Sequence, residues 1–163
     1  MDNMAADPMT PSAARAAGSD DATGTISGLR VMVIDDSKTI RRTAETLLRK
    51  AGCEVVTATD GFEALAKIAD HHPDVIFVDI MMPRLDGYQT CALIKHNHAF
   101  RDTPVIMLSS KDGLFDRARG RIVGSEQYLT KPFAREELLA AIKRHVQPRG
   151  QGSSVTEEPT GEA

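Results

Sequence analysis

The chain has 163 residues, of which 41% are hydrophobic and 26% are charged, and its formal net charge is −3 at pH 7. This length fits one domain, and the composition is ordinary for a soluble globular protein. No apolar run approaches the roughly 20 residues of a membrane-spanning helix, and the N-terminus is acidic where a secretory signal would be basic. Because Cys53 and Cys91 form no metal or redox motif, the cytoplasm is the expected location.

Both ends of the chain are predicted to be disordered tails. Residues 1–28 carry four Asp and one Arg, and residues 148–163 carry three Glu and one Arg. Each segment has one large aliphatic residue, Ile26 or Val155, and buries too little apolar surface to offset the entropy of ordering. The folded domain is therefore predicted at residues 29–147, whose charge of +2 is too small for a nucleic-acid-binding surface.

The first half of this domain alternates apolar strands with amphipathic helices. A continuous apolar run at residues 31–34 predicts a strand that is buried on both faces. The helix after it ends at Gly52, and its apolar face is formed by Ile40, Ala44, Leu47, Leu48 and Ala51. Residues 54–58 are the second strand. Asp60 can cap the second helix, whose inner face is predicted to hold Leu65, Ile68 and Ala69.

The second half repeats this alternation. Pro73 precedes a buried strand at residues 75–78, and Pro104 precedes another at residues 105–108. The helix between them is predicted at residues 86–95, with an inner face of Tyr88, Cys91 and Ala92. The last elements are a helix at 115–123, a strand at 127–129 and a helix at 135–146 that buries Leu138, Leu139, Ile142 and Val146.

Five successive strand–helix units predict an α/β fold with a doubly wound parallel sheet and helices on both faces. In such a sheet the ligand site lies beyond the carboxyl ends of the strands. The residues that follow the predicted strands are three acids, two hydroxyls and one lysine, namely Asp35, Asp36, Asp79, Ser109, Ser110 and Lys131. We therefore expect these side chains to meet at one edge of the sheet.

The three acids constrain the chemistry of this edge. Carboxylates held close together repel one another, so one should be protonated or a cation should bind. Their oxygens suit Mg²⁺, which keeps several waters and leaves room for phosphate oxygens. An Asp can attack phosphorus to form an aspartyl-phosphate, and a lysine can neutralise charge during the transfer.

Four segments resemble the receiver domains of two-component response regulators. They are residues 33–37 (Val-Ile-Asp-Asp-Ser), 78–87 (Val-Asp-Ile-Met-Met-Pro-Arg-Leu-Asp-Gly), 106–110 (Ile-Met-Leu-Ser-Ser) and 128–133 (Tyr-Leu-Thr-Lys-Pro-Phe). Each motif alone is modest evidence, but the four together in this order are specific. The resemblance covers about residues 29–147 and implies a flavodoxin-like sheet of five strands in the order 2-1-3-4-5.

Two further segments narrow the resemblance. Residues 36–42 and 111–116 are similar to the single-domain receivers of the type IV pilus twitching-motility chemosensory system. This similarity implies a histidine kinase of a chemosensory array and a downstream protein target, without nucleic acid or membrane insertion. It also implies a signalling domain that is not an enzyme beyond its own phosphorylation and dephosphorylation.

The resemblance assigns a role to each polar residue at the sheet edge. Asp79 matches the phosphoacceptor and a Mg²⁺ ligand. Asp36 matches a direct Mg²⁺ ligand, Asp35 a ligand acting mainly through water, and the backbone carbonyl of Met81 a further ligand. In this family the side chain at the position of Met81 also influences how fast phosphate is lost. Because a thioether cannot orient a hydrolytic water, slow self-dephosphorylation is predicted.

The remaining matches concern phosphate binding and switching. Lys131 matches the lysine that pairs with the phosphoryl group, and its bond to Pro132 is often cis in the family. Ser109, with Ser110 beside it, matches the switch hydroxyl, and Tyr128 matches the aromatic that swings inward. The output surface would be formed by the fourth helix, the last strand and the last helix.

Several alternatives remain open at this point. Asp35 and Asp36 could simply cap the first helix, Tyr128 could be a static core aromatic, and the arginines at 117–121 could be a solvated helix face. A degenerate receiver that binds its partner constitutively is a second functional hypothesis, and an aspartyl-phosphate phosphatase is a third. Such a phosphatase would need an acid two residues after its nucleophile, where this chain has Met81.

Overall fold

The structure is a computed structural model that describes residues 26–110 and 116–146. Most of the two predicted tails lies outside the described residues, and so does Phe115, the predicted start of the fourth helix. Within the described ranges, no helix has both the length and the apolar character needed to cross a membrane.

Five parallel strands form a single sheet in the order β2-β1-β3-β4-β5. Their bounds are β1 Arg30–Ile34, β2 Glu54–Ala58, β3 Val75–Asp79, β4 Val105–Ser110 and β5 Gln127–Lys131. The predicted fold class and strand order are confirmed. The order reverses direction between β1 and β3, which is where doubly wound sheets open a crevice for a ligand.

A helix follows each strand. The helices are α1 Lys38–Lys50, α2 Gly61–His71, α3 Gly87–His96, α4 Arg117–Val123 and α5 Arg135–His145. Four of them begin behind a short polar side chain that accepts a hydrogen bond from the backbone N–H three residues later, and these residues are Ser37, Asp60, Asp86 and Asp116. Such N-caps satisfy backbone donors that the first turn leaves unpaired.

Two apolar layers cover the two faces of the sheet. Successive strand residues point to opposite faces, so Phe77 joins the layer against α1 and α5, while Ile76 joins the layer against α2 and α3. Both residues are fully buried. This double burial explains why the central strands read as continuous apolar runs.

Three strands run further than the sequence predicts. β3 ends on Asp79, β4 on Ser110 and β5 on Lys131. The ladder continues because Asp79 pairs in register with Leu108, and Ser110 pairs with Lys131. The polar residues at this edge therefore belong to hydrogen-bonded strand ends, which hold them more rigidly than loops would.

The burial of α2 corrects one prediction. Ala69 is exposed and Leu65 is half-buried, whereas α2 buries Gly61, Ala64 and Ile68. A Cβ on Gly61 would lie 2.4 Å from the hydroxyl of Thr90, so the first turn of α2 packs closely against α3. This contact sets the buried face about one residue away from the predicted one.

Smaller differences concern the other helix faces. In α3, Ala92 is half-buried, while Ile94 is buried in its place. In α5, Val146 is the C-cap and is half-buried. Both positions lie at the border of a buried helix face, where spacing alone does not separate partial from full burial.

The core also extends upstream of residue 29. Ile26 is 1% exposed and packs in the layer against α1 and α5. Its carbonyl accepts hydrogen bonds from the N–H of Leu29 at 3.1 Å and from the thiol of Cys53 at 3.6 Å. A single apolar residue among polar neighbours has no periodic pattern, so the sequence places Ile26 in the tail while the structure buries it.

Candidate functional site

The carboxyl edge of the sheet brings the predicted polar residues together. Asp35 follows β1 directly and is fully buried, and Asp79 ends β3 with 3% exposure. Asp36 is exposed beside them. In the part of the chain that the structure describes, one carboxylate oxygen from each of these three acids lies within 4.8 Å of the other two.

Lys131 reaches into this cluster from the end of β5. Its Nζ lies 3.0 Å from Oδ2 of Asp35 and 3.0 Å from Oδ1 of Asp79. The side chains of these three residues are at most 14% exposed. One ammonium thus links two buried carboxylates that stand on different strands, 96 and 52 residues away in the sequence.

The surroundings raise the pKa of both Asp79 and Lys131, but for different reasons. Burial, together with the negative charge of Asp35, raises the pKa of Asp79 from 3.8 to about 6, although Lys131 partly offsets the shift. Burial would lower the pKa of Lys131, but its hydrogen bonds to Asp79 and Asp35 outweigh burial and raise that pKa. The ionised form of Asp79 is therefore disfavoured, while the lysine beside it stays charged.

Asp35 is held by the start of α1. Its Oδ1 accepts a hydrogen bond from the backbone N–H of Ser37 at 2.8 Å, and its backbone carbonyl accepts one from Arg41 at 2.7 Å. The N-cap of α1 is Ser37. Because the other oxygen of Asp35 faces Lys131, helix capping alone does not describe this acid. The roles of Ser37 and Arg41 depend on loop geometry and are not evident from the sequence.

The loop between β3 and α3 folds back against Asp79. A Cβ on Gly87 would lie 2.5 Å from the carbonyl oxygen of Asp79 and 2.7 Å from Cα of Ile80. A side chain at this position would collide with backbone, so glycine is required there. Gly87 is a site residue that the sequence analysis misses as such, although its Asp-Gly pair is part of the quoted motif.

Met81 lies in the same loop. Its backbone N–H donates to Oδ1 of Asp79 at 3.3 Å, and its side chain is 70% exposed. The Met81 backbone thus contacts the acceptor carboxylate, while the thioether is largely exposed to solvent.

The predicted switch residues lie on the neighbouring strands. Ser109 is 5% exposed, and its hydroxyl donates to the carbonyl of Ser110 at 3.3 Å. Tyr128 is half-buried, and its hydroxyl accepts a hydrogen bond from Arg117 of α4 at 3.4 Å. The Lys131–Pro132 bond is cis, as the resemblance implied.

The donor set at this edge fits a hard divalent cation. All three side chains offer carboxylate oxygens, which are the ligands that Mg²⁺ takes, and one of the three acids is open to solvent. Burial, and after it the negative charge of Asp35, raises the pKa of Asp79, and Lys131 offsets only part of this shift. A cation here would relieve that repulsion.

Comparison with known proteins agrees with this geometry. The family model for the response regulator receiver domain matches residues 31–143. Protein PilG of Pseudomonas aeruginosa is 82% identical over 119 residues, which are 73% of this chain and 88% of that protein. Response regulator MprA of Mycobacterium avium is 38% identical over 130 residues, covering 78% of this chain and 56% of MprA.

A solved structure shows the same fold. The chemotaxis protein CheY4 of Vibrio cholerae superposes with a TM-score of 0.69 at 35% sequence identity, covering 74% of this chain and 100% of that one. Residues 31–143, which the family model matches, contain all of the sheet except Arg30 and include the edge that carries Asp35, Asp79 and Lys131. The chain belongs to the response regulator receiver domain family.

Proposed function

We propose that this chain is a phosphorylation-dependent response regulator in which Asp79 accepts a phosphoryl group from a histidine kinase. The observation that carries the proposal is the position of Asp79, which ends the central strand, is nearly buried and lies 3.0 Å from Lys131. Family membership and the 82% identity to PilG support the same conclusion.

The transfer needs a nucleophile and neutralisation of charge. An Oδ of Asp79 attacks the phosphorus of a phosphohistidine, a P–O bond forms, the P–N bond breaks, and the released imidazole takes up a proton. The neighbouring ammonium of Lys131 pairs with the negative phosphoryl oxygens. Deprotonation of Asp79 is required, and its pKa of about 6 leaves it mainly charged at neutral pH.

The acidic cluster is the proposed Mg²⁺ site. Asp36 and Asp79 would be direct ligands, Asp35 would act mainly through water, and the backbone carbonyl of Met81 would complete the protein ligands. When bound, Mg²⁺ would neutralise charge on the phosphoryl oxygens. Asp35 meanwhile keeps Lys131 in place beside the acceptor.

The proposed output passes through Ser109 and Tyr128. A phosphoryl group on Asp79 attracts the Ser109 hydroxyl, with Ser110 beside it, and Tyr128 moves into the space that this opens. Because Tyr128 bonds to Arg117, its movement changes the surface of α4, β5 and α5. A groove of about 310 Å³ on that surface is lined by Arg117, Arg121, Tyr128 and Arg144 and supplies a docking site for a protein target.

The proposed pathway is type IV pilus twitching motility, in the cytoplasm. It is supported by the amino-acid sequence of residues 36–42 and 111–116, which resembles pilus chemosensory receivers, and by the 82% identity to PilG. The kinase would then belong to a chemosensory array. The chain spans about half the length of MprA, so what the rest of that relative does is not carried over.

The main alternative is a constitutive interaction module. Such a module does not need the complete acid and lysine set, whereas Lys131 here pairs with both Asp35 and Asp79. A phosphatase is less favoured, because the exposed Met81 stands where a second acid would be needed.

The test is phosphorylation by acetyl phosphate, followed by intact mass on wild type and Asp79→Ala, with Mg²⁺ or with EDTA. We expect one phosphate adduct that needs Mg²⁺ and is absent in Asp79→Ala. Asp74→Ala is the control. Asp74 ends no strand, and its carboxylate accepts a hydrogen bond from the N–H of Arg30 at the amino-terminal end of the strands, away from the site.

If folded wild type gives no adduct, the test is repeated with a phosphorylated histidine kinase as donor. Failure with that donor as well would favour the constitutive module. An adduct on Asp79→Ala would place the acceptor elsewhere.

A further inference from the structure

α4 (Arg117–Val123) has few apolar contacts to hold it. Of its seven residues, Gly120 alone is buried, and the side chain of Ile122 is 82% exposed. Short helices are not stable by themselves and depend on tertiary contacts. The position of α4 must therefore rest largely on polar contacts with its neighbours.

α3 supplies such contacts at both ends of α4. At the N-terminal end, the hydroxyl of Tyr88 accepts a hydrogen bond from the backbone N–H of Asp116, the N-cap of α4, at 2.8 Å. At the C-terminal end, the thiol of Cys91 donates to the carbonyl of Val123 at 3.4 Å. Tyr88 and Cys91 are three residues apart and so share one face of α3.

Arg119 strengthens the first of these contacts. Its guanidinium lies 4.2 Å from the centre of the Tyr88 ring, which is within the range of a cation–π interaction. The same guanidinium lies 3.7 Å from the carboxylate of Asp86, the N-cap of α3. The N-terminal ends of α3 and α4 are thus joined by three polar contacts around one ring.

Tyr88 is also adjacent to the backbone of the phosphorylation site. The residue before it, Gly87, donates its N–H to the carbonyl of Ile80 at 2.8 Å, and a Cβ there would lie 2.5 Å from the carbonyl oxygen of Asp79. Tyr88 is 4% exposed, so its ring has little room to move independently of this loop. A shift of the backbone after Asp79 would therefore move Tyr88 against the start of α4.

We propose that Tyr88 is a positioning residue that couples the backbone beside Asp79 to the N-terminus of α4, by a route through α3 that is separate from Ser109 and Tyr128. The proposal rests on the proposed function, because it assumes that Asp79 is the residue modified. It adds a second connection to the helix that carries Arg117 and Arg121.

The direction of the coupling follows from linkage. In this structure the carboxylate of Asp79 bonds directly to Lys131, so the Tyr88 contacts belong to the arrangement with unmodified Asp79. A phosphoryl group favours the other arrangement by binding it better. The proposed coupling requires the Tyr88 contacts to loosen in that second arrangement, so weakening them disfavours the first arrangement and raises the affinity for a phosphoryl mimic.

The experiment uses the full chain as wild type, Tyr88→Phe and Ser125→Ala. The phenylalanine keeps the ring over which Arg119 lies and removes only the hydroxyl. Ser125 is the control, because its hydroxyl also bonds to α4, at the carbonyl of Gly120 (3.0 Å), but has no link to α3. Urea unfolding checks that each variant is folded. NMR then measures amide exchange at Asp116 and the affinity for beryllofluoride with Mg²⁺.

We expect Tyr88→Phe to speed exchange of the Asp116 amide and to tighten beryllofluoride binding, each by about three- to tenfold, the effect of one neutral hydrogen bond. Ser125→Ala should leave the affinity unchanged. Unchanged exchange at Asp116, unchanged affinity, or an equal gain in Ser125→Ala would each overturn the coupling. If wild type binds no beryllofluoride and takes no phosphate from any donor, the proposed function fails and the coupling fails with it.

Discussion

At the scale of single residues, Asp79 meets two opposing demands. A nucleophilic carboxylate must be charged, yet its position at the end of the central strand removes it from water. Burial and the charge of Asp35 raise its pKa to about 6, while Lys131 opposes the rise. The site therefore holds a charged acid at a cost in stability, as reactive sites often do.

This cost predicts that Asp79→Asn stabilises the metal-free protein. The pKa of Asp79 is raised on folding from 3.8 to about 6, so its charge disfavours the folded state, fully above pH 6 and not below pH 4. A shift of this size bounds the effect at about 3 kcal/mol. The shift already includes the pairing with Lys131. Because local rearrangement and solvent screen part of the repulsion, we expect a gain of about 1–2 kcal/mol at pH 7.5 in EDTA.

Urea unfolding at pH 7.5 and at pH 4.5 measures this effect. The gain should shrink at the lower pH, where Asp79 in the wild type is largely protonated. A variant that is less stable than wild type at pH 7.5 would contradict the assigned sign.

The side chain of Met81 leads us to predict a long lifetime for the phosphorylated form. Its exposed thioether is only a weak hydrogen-bond acceptor and has no donor, so it cannot hold a water beside Asp79 in place. We expect Met81→Asn to lose phosphate severalfold faster, because an amide can orient the attacking water. Loss of the mass adduct over time measures the rate. Met81→Leu is the control and should behave as wild type, and equal rates in all three proteins would remove the explanation.

At the scale of elements, the start of α2 is fastened by one carboxylate. Glu63 accepts hydrogen bonds from the backbone N–H and the hydroxyl of Thr59, both at 2.7 Å, and pairs with Lys67 at 2.9 Å. Asp60 in turn accepts from the N–H of Glu63. Together, the cap by Asp60 and the bonds from Thr59 to Glu63 fix where the chain turns from β2 into the helix.

We predict that Glu63 makes a pH-dependent contribution to the stability of the fold. The Thr59 N–H, then Lys67 and the Thr59 hydroxyl, lower its pKa from 4.5 to about 2. The lowered pKa stabilises the fold above pH 4.5, and this contribution is lost as pH falls towards 2. Since the side chain is 37% exposed, solvent screens most of the effect, and Glu63→Gln should cost about 0.5–1 kcal/mol at pH 7.

Thermal unfolding of Glu63→Gln between pH 7 and pH 2.5 tests this contribution. The difference from wild type should disappear at the acidic end. Glu45→Gln is the matched control, since Glu45 pairs with Arg49 on an exposed face of α1. An equal loss in both variants would mean that capping by Glu63 adds nothing.

At the scale of the whole molecule, the two apolar layers give the sheet its stability and set the limits of the domain. The layer against α1 and α5 includes Ile26, which closes it beside Leu29 and Cys53. The packed unit therefore begins at least three residues earlier than the sequence indicates. The polar edge is held rigidly because it ends strands that these layers clamp from both sides.

Ile26→Ala is predicted to destabilise the protein by about 2–4 kcal/mol, because it leaves a cavity in a closed layer. Ile122→Ala is the matched control, since the same residue type is 82% exposed there, and it should change stability by less than about 0.5 kcal/mol. Urea unfolding compares the two variants. Similar small losses in both would show that Ile26 does not belong to the stable core.

Much of the molecule could be predicted because its signals are local. Apolar runs at the strands and helical spacing in α1 report burial directly, since each strand is covered on both faces. The rule that ligands bind at the carboxyl ends of parallel strands then predicts that Asp35, Asp79 and Lys131 lie at one edge of the sheet. Residue type and order along the chain were sufficient for that step.

The tertiary structure decided what depends on contacts between distant residues. The link from Lys131 to two acids, and the pKa of Asp79 that results, require burial and distances that spacing does not contain. The burial of Ile26 is likewise not predictable, because no periodic pattern marks it. The hydrogen bond from the Asp116 N–H to the hydroxyl of Tyr88 joins residues 28 positions apart and also depends on the fold. Periodicity reports which face of an element is apolar, whereas packing alone selects the partner that each side chain meets.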